Sequence, residues 1–500
     1  ANLSAEYAKR DFSPGLFAYV DLNGAGNGPG ATCTANGFVR VAPAYTPNVL
    51  CTPSNTNFLA NIDRGNYAAP NYGYGWVDQK TWAIRGRFSY ELSDNATLSY
   101  IAGYRNYDET NFKPLPVVYR NYTHLDVADT QSHELRLNGT LSNGVIYQVG
   151  GFYFKESLDR AGGFFLPIGP LGSYLSYFRR DLASDSKSIF GQMDFPMSDT
   201  LTAVAGVRYT KNKRDAIYNN DGLGTLFNSG PVKPTPAQLT APDLPFGSSE
   251  NKTTWLAGLN YKPNKDTLVY GKISTGFKGG GFDAVGQYAP ETNTAFEAGW
   301  KQTYGDAGQH QFNLGAFYYD YKDLQVSVLL DTTVGGQTFN AGKASIWGIE
   351  ADGHLQLSDD DRITYSLNYL NATYDDLKAV FSAYCVGGCG VTTVGDLDPI
   401  TAGIQQPNFK GNTAAYSPKW VLQVGYDHTF HLGSAGSLVA SASTKYKSSY
   451  FTDFFNYRDG EQGSYMQTDA SLDYKPESGN WSVQAFAHNL KNKRPLTYGG

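Results

Sequence analysis

The residues with most reactive promise in this 500-residue chain are seven histidines, four cysteines and a run of three aspartates. Their spacing decides whether they do chemistry. No HExxH occurs, and no histidine shares metal-ligand spacing with carboxylates. Ser132-His133-Glu134 reads as part of a strand, where successive side chains take opposite faces, so it cannot converge as a triad. Asp359-Asp360-Asp361 reads as a polar turn, with a calcium loop as the alternative. Gly276 to Gly281 lacks the Gly-Lys-Ser/Thr ending of a phosphate loop. It reads instead as a strand end opening into a loop, where glycines permit unusual dihedrals. Cys33 with Cys51 and Cys385 with Cys389 form two local pairs in Gly-, Pro-, Asn- and Thr-rich stretches. Such pairs suggest disulfides in an oxidising compartment, with four free thiols as the alternative. Zinc is disfavoured because no histidine stands near either pair. The sequence thus shows no catalytic constellation, metal set or cofactor motif, and it points away from an enzyme.

The elements that carry these residues are strands. Tyr (37), Phe (28) and Gly (55) are abundant, Met is scarce (3), and charged residues make up 17%. Aromatic and β-branched residues suit a pleated, half-buried surface. The net charge of −6 argues against nucleic acid as a partner. No run approaches 18 consecutive apolar residues, which excludes a membrane helix and leaves a closed sheet as the other way to satisfy backbone groups in lipid. Apolar and polar residues alternate repeatedly. Phe312, Leu314, Ala316 and Tyr318 oppose Gln311, Asn313 and Gly315, and Ile363, Tyr365, Leu367 and Tyr369 oppose Thr364, Ser366 and Asn368. The polar face holds Ser, Thr, Asn, Gln and Gly more than Lys and Glu, as expected for a lipid-facing exterior around a wet or filled lumen.

Short breaks alternate with long ones. Turns are predicted at 93–95, 141–144, 197–200, 263–266, 305–309, 358–361, 431–436 and 477–480. Long connections are predicted at 12–79, 109–128, 157–183, 213–250, 277–291, 327–341, 374–415 and 451–463. Short periplasmic turns and long extracellular loops are the signature of an all-β, antiparallel transmembrane β-barrel. The spacing gives about 17 strands, with the first and last running upward, so at least one further strand is needed for closure.

The order of short motifs resembles the barrel of TonB-dependent outer-membrane receptors. These motifs include Ser132 to Leu137, Gly151-Phe152-Tyr153, Ile189 to Gln192 before Ala205 to Tyr209, Gly276 to Gly280 and Pro290-Glu291-Thr292. They continue with Phe317 to Gln325, Trp347 to Glu350, Ser417 to Trp420 and Asn489 to Arg494. The resemblance implies that residues 1–500 are a partial barrel of a 22-stranded receptor, without its plug, first strands and last strand. It further implies a place in the outer membrane of a Gram-negative bacterium, among its lipids. Uptake of a ferric siderophore would be energised by the TonB complex acting through the plug. A passive porin-like channel, or uptake of a sugar or cobalamin, remains the alternative. A secreted adhesin would carry charge on the outward strand faces, which the alternating strands do not show.

Candidate site residues follow from the faces. Glu297, Lys301 and Glu350 lie opposite the apolar positions and read as lumen-facing, against plug or water. Aromatics gather at strand ends. Tyr318 and Tyr450 read as interfacial girdle. Phe454, Phe455 and Tyr457, with Tyr174 and Tyr177, read as loop aromatics for which girdle and ligand mouth are both open.

Overall fold

The computed structural model describes residues 1–12, 31–34, 37–40, 76–114, 120–166, 173–221, 241–283, 286–331, 335–340, 342–377, 409–454, 456 and 461–496. One antiparallel sheet of 17 strands dominates it. The first six strands are β1 (Asn2–Phe12), β2 (Trp76–Ser93), β3 (Ala96–Pro114), β4 (Arg120–Thr140), β5 (Ile146–Leu166) and β6 (Ser173–Pro196). Next come β7 (Leu201–Asp221), β8 (Leu244–Asn264), β9 (Thr267–Lys278), β10 (Glu291–Tyr304), β11 (His310–Lys322) and β12 (Gly342–Gln356). The last five are β13 (Asp361–Leu377), β14 (Trp420–His431), β15 (Ser437–Lys447), β16 (Tyr465–Lys475) and β17 (Val483–Ala487). Each pairs with the next in chain order, as in an up-and-down wall. β1 and β17 are the two edges, and no pairing joins them among the described residues.

The period of two sets the faces. Trp82, Ile84, Val207, Trp255, Leu259, Phe296, Trp300, Ile349 and Val424 are all exposed, so the large apolar side chains look outward. In water such a surface would be an aggregation liability; against lipid it is the expected exterior. No helix among the described residues is long and apolar enough to cross a membrane. The short turns predicted from sequence all appear. At Ser198 and Ser358 the hydroxyl accepts backbone N–H groups two and three residues on, closing the bend.

The long connections differ from the sequence reading. β5 and β6 continue to Leu166 and Ser173, and β3 and β4 to Pro114 and Arg120, so most of 157–183 and 109–128 is strand. Tyr174 and Tyr177 therefore stand on β6 and not in a loop. Above the apolar belt both faces mix polar and apolar residues and the contrast that marks a strand fades, yet cross-strand pairing persists. Tyr450 also departs from the girdle reading. It is buried, lies beside Tyr416, and its hydroxyl donates to the Leu496 carbonyl. Tyr318, by contrast, lies exposed on the outward face.

Candidate functional site

Register carries five successive strands into one set of inward-facing rows. The uppermost runs Asp126, Arg160, Arg180, Tyr218 and Leu244 across β4 to β8. The next row down is apolar: Ala128, Leu158, Leu182, Ala216 and Phe246. Below it come Thr130, Glu156, Ser184, Arg214 and Ser248. Counting up β5 from Ile146, Arg160 is fourteen residues from the periplasmic turn. A tilted strand needs about 9–11 residues to cross a bilayer, so the arginine row sits at the extracellular mouth.

Each arginine there is held differently. Arg160 grips Asp126 with two parallel bonds, Nε to Oδ1 at 2.6 Å and Nη2 to Oδ2 at 2.9 Å, a fork geometry that fixes both groups. Arg180 has no such partner among the described residues. Its guanidinium carbon lies 4.8 Å from the Phe178 ring centre and 5.2 Å from that of Tyr218. Its Nε is shielded from solvent without a hydrogen bond. Burial pulls its pKa below the usual arginine range, and Arg160 adds to the effect; Tyr218 and Asp283 oppose it. Arg214 donates to the Gly280 carbonyl. Lower on the wall, Arg208 lies between the Phe152 and Phe190 rings at 5.5 and 5.4 Å.

The segment after β9 folds over this wall. Phe282 stacks on Phe246 at 5.6 Å, and the Tyr218 hydroxyl donates to the Phe282 carbonyl at 2.8 Å. Burial raises the Tyr218 phenol above its ordinary pKa. Gly276 to Gly281 is thus a strand end leading into a loop, as expected. The reason for glycine is different. None of these glycines has positive φ; close approach is what excludes a side chain. A Cβ on Gly280 would stand 2.4 Å from the Tyr288 carbonyl oxygen, and one on Gly279 2.5 Å from a Glu250 carboxylate oxygen.

The other candidate residues fall elsewhere. Glu297 lies on the inward face of β10 and pairs with Lys272 at 3.0 Å. Lys301, two pleat repeats lower on the same face, lies 6.0 Å from the Tyr270 ring centre. Glu350 sits on β12 opposite Gly315 and Asn368. These three share a face but form no cluster with the arginine row. Phe454 is 7% exposed and belongs to an apolar cluster with Val326, Ala344, Tyr374, Leu377 and Phe409. Its ring meets Phe409 edge-on at 5.8 Å. It braces the loops above β12 and β13 and does not present an open ligand surface. Within this cluster burial pushes the Tyr374 phenol up to about 12. The side chains of Tyr174 and Tyr177, and Phe455, Tyr457, Cys51, Cys385 and Cys389 entirely, lie outside the described residues. Cys33 stands in a short hairpin, 31–34 with 37–40, and its side chain is likewise outside them.

Sequence reading missed the arginine row. Arg160, Arg180 and Arg214 stand 20 and 34 residues apart. Only correct hairpin registers bring Arg160 and Arg180 to adjoining positions, with Arg214 two rows below them. The available signal was a lone arginine on the small-polar face of successive strands, beside serines 184, 186 and 188.

The family described as TonB dependent receptor-like, beta-barrel matches residues 6–490. The siderophore receptor PiuA from Acinetobacter baumannii aligns at TM-score 0.69 and 16% identity, over 99% of this chain and 68% of its own. The ferric-catecholate import receptor Fiu from E. coli K12, in a closed form, aligns at 0.66 and 14%, over 99% and 68%. The ferric yersiniabactin uptake receptor FyuA from Yersinia pestis aligns at 0.65 and 14%, over 85% and 58%. At these identities the likeness shows the fold, and the chain spans between 58% and 68% of those proteins' lengths.

Proposed function

Because the chain belongs to the TonB dependent receptor-like β-barrel family, we propose that it forms the wall of an outer-membrane receptor that imports a scarce ligand, a ferric siderophore first among the candidates. The observation that carries this reading is the inward arginine row at the mouth, with Arg180 desolvated between two rings and lacking a carboxylate partner among the described residues. A bare cation flanked by aromatic surface suits an organic ligand with anionic oxygens. The three structural neighbours, named as receptors for siderophores or ferric complexes, support the same class of cargo. The family is one of transport receptors, so the work of this wall is binding and passage, with no cofactor invoked.

Energy would come from the TonB complex acting through a plug, against which Glu297, Lys301 and Glu350 would face. Tyr174, Tyr177, Phe455 and Tyr457 would extend the aromatic rim. Cys33 with Cys51 and Cys385 with Cys389 would brace the loops as disulfides. The test is growth under iron limitation of a strain deleted for the gene, with single ferric siderophores supplied. Loss of growth on one of them, restored by the gene, is the expected result. Unchanged growth on all would turn the reading to a sugar, cobalamin or a passive channel. Fractionation with soluble periplasm would overturn the membrane reading itself.

A further inference from the structure

The outward face carries a second charged feature, far from the lumen. Reading across β4 to β8, one outward row is His133, Tyr153, Lys187, Lys211 and Asn251. The row above it is Gln131, Lys155, Asp185, Lys213 and Ser249. Four exposed lysines thus occupy adjoining positions, with Asp185 among them and Asp215 in the row above. Lys187 and Lys211 are direct cross-strand partners, an arrangement that destabilises a sheet unless something anionic lies between them. Lys187 reaches Asp185 at 3.4 Å and Lys213 reaches Asp215 at 2.8 Å. Lys155 and Lys211 have no ion-pair partner among the described residues.

Height identifies the partner. Lys155 stands nine residues up β5 from Ile146, Lys187 nine residues up β6 from Pro196, and Lys211 ten residues up β7 from Leu201. At a rise of about 3.3 Å and a tilt near 45° these lie roughly 20–25 Å above the periplasmic turns. Immediately below are the outward Tyr153, Ile189 and Tyr209, an aromatic and apolar border. The lysines therefore meet the headgroups of the outer leaflet. Other opposed outward lysine pairs are neutralised where they stand. Lys9 and Lys80 neighbour Asp11, Asp78 and Asp108, while Lys322 and Lys343 neighbour Asp320 and Asp376. Only the β5–β7 patch leaves a surplus of positive charge among these.

We propose that Lys155, Lys187, Lys211 and Lys213 form a docking site for a phosphate-bearing lipid headgroup at the extracellular boundary of the membrane. The proposal rests on the transmembrane reading of the sheet and not on the identity of the imported ligand. Phosphate is the complement: four ammonium groups against two carboxylates stand on one exposed patch, and the sheet below offers the apolar surface that the attached acyl chains require.

The test titrates the protein in detergent micelles with phosphatidic acid and, separately, with diacylglycerol, reading bound lipid by native mass spectrometry. Wild type is expected to hold phosphatidic acid about tenfold or more tightly than a variant carrying Lys155→Gln, Lys187→Gln, Lys211→Gln and Lys213→Gln. Diacylglycerol is expected to bind both alike. A Lys9→Gln, Lys80→Gln variant, altered at a neutralised pair, is expected to match wild type. Equal phosphatidic acid binding by wild type and the four-lysine variant overturns the proposal, as does equal loss in the Lys9, Lys80 control. Displacement of the lipid by inorganic phosphate at comparable concentration would make the patch an ion site and overturn the lipid assignment. Should the fourfold variant fail to fold, Lys187→Gln alone and the salt dependence of wild type decide. Retention unchanged on raising salt to roughly 0.5 M, where screening is within a few ångströms, overturns the proposal.

Discussion

Asp126, Arg160 and Arg180 show how one wall can hold a paired and an unpaired cation side by side. The Asp126 carboxylate is committed to Arg160 by two bonds, leaving Arg180 to the rings of Phe178 and Tyr218. Removing Asp126 would leave two adjacent guanidinium groups without a counter-charge. Asp126→Asn is expected to cost about 1–2 kcal/mol of stability, a modest figure because Arg160 is partly exposed. Adding Arg180→Leu should recover part of that loss, since the two cations repel. Urea midpoints for the two single variants and the double variant measure the coupling; strict additivity would mean that the arginines do not interact. Arg180→Leu alone should leave stability near wild type and weaken an anionic ferric ligand by roughly 10–100-fold, the worth of a charge-assisted hydrogen bond. At the opposite end, Asp361 accepts from Ser358, from Tyr426 and, at 2.7 Å, from His428 Nδ1. These bonds hold its carboxyl well below the usual range, Ser358 first among them. A depressed carboxyl stabilises the fold above its unfolded value and loses that contribution as pH falls through the folded one. The stability gap between wild type and Asp361→Asn should therefore not narrow between pH 8 and about 5 and should shrink below that. A gap that narrowed between pH 8 and 5 would place its cause elsewhere.

Strands were legible in the sequence wherever one face met lipid. On β13, Ile363, Tyr365 and Leu367 alternate with Thr364, Ser366 and Asn368, and the structure places the first set outward and the second inward. Lipid enforces that contrast, so the pattern survives in the residues. The extracellular halves of β5 and β6 mix polar and apolar residues on both faces, and there the strands were misread as loop. The arginine row was illegible for a related reason. Its members are local neighbours of nothing reactive, and only pairing across hairpins assembles them. The same two-faced logic gives a paired test. Leu367 stands six residues above the start of β13, close to mid-membrane, on the outward face. Leu367→Arg should cost about 2–4 kcal/mol, whereas Asn368→Arg, one residue on and facing the lumen, should cost well under half of that. Equal losses in a folding titration into vesicles would remove the face assignment. Aromatic rings on the inner face also depend on the opposing strand. The Phe317 ring lies over Gly348, where a Cβ would come 2.7 Å from the ring and 2.4 Å from the Tyr369 carbonyl oxygen. The backbone carbonyl cannot rotate away, so Gly348→Val should destabilise by roughly 1–3 kcal/mol.

Across the described sheet the inward-facing arginines gather on one side. Arg85, Arg87, Arg105, Arg136, Arg160, Arg180, Arg208 and Arg214 all face inward from β2 to β7. From β8 to β17 the inward face carries Arg362 as its arginine among the described residues; Glu291, Glu297, Glu350, Asp352, Asp427, Asp469 and Asp473 stand there beside Lys252, Lys272, Lys278, Lys301, Lys445 and Lys475. A chain of net charge −6 has therefore concentrated its guanidinium groups on one inner wall. Glu91, Glu109, Asp126, Glu134, Glu156 and Asp194 share that wall, so it holds a surplus of two positive charges, and a concave wall with such a surplus focuses the field and draws an oppositely charged solute to that side before any contact forms. The consequence is kinetic. The association rate of an anionic ferric complex should fall about tenfold or more between low salt and 1 M, as the Debye length shrinks to about 3 Å. A neutral complex of similar size should be nearly indifferent to salt. Stopped-flow quenching with both complexes separates steering from contact energy. Substituting Arg85 and Arg87 by Gln, lower on the wall and away from the mouth, should slow the anionic complex while leaving its dissociation rate unchanged. A change confined to dissociation would mean that these arginines act by touching the ligand and not by their field.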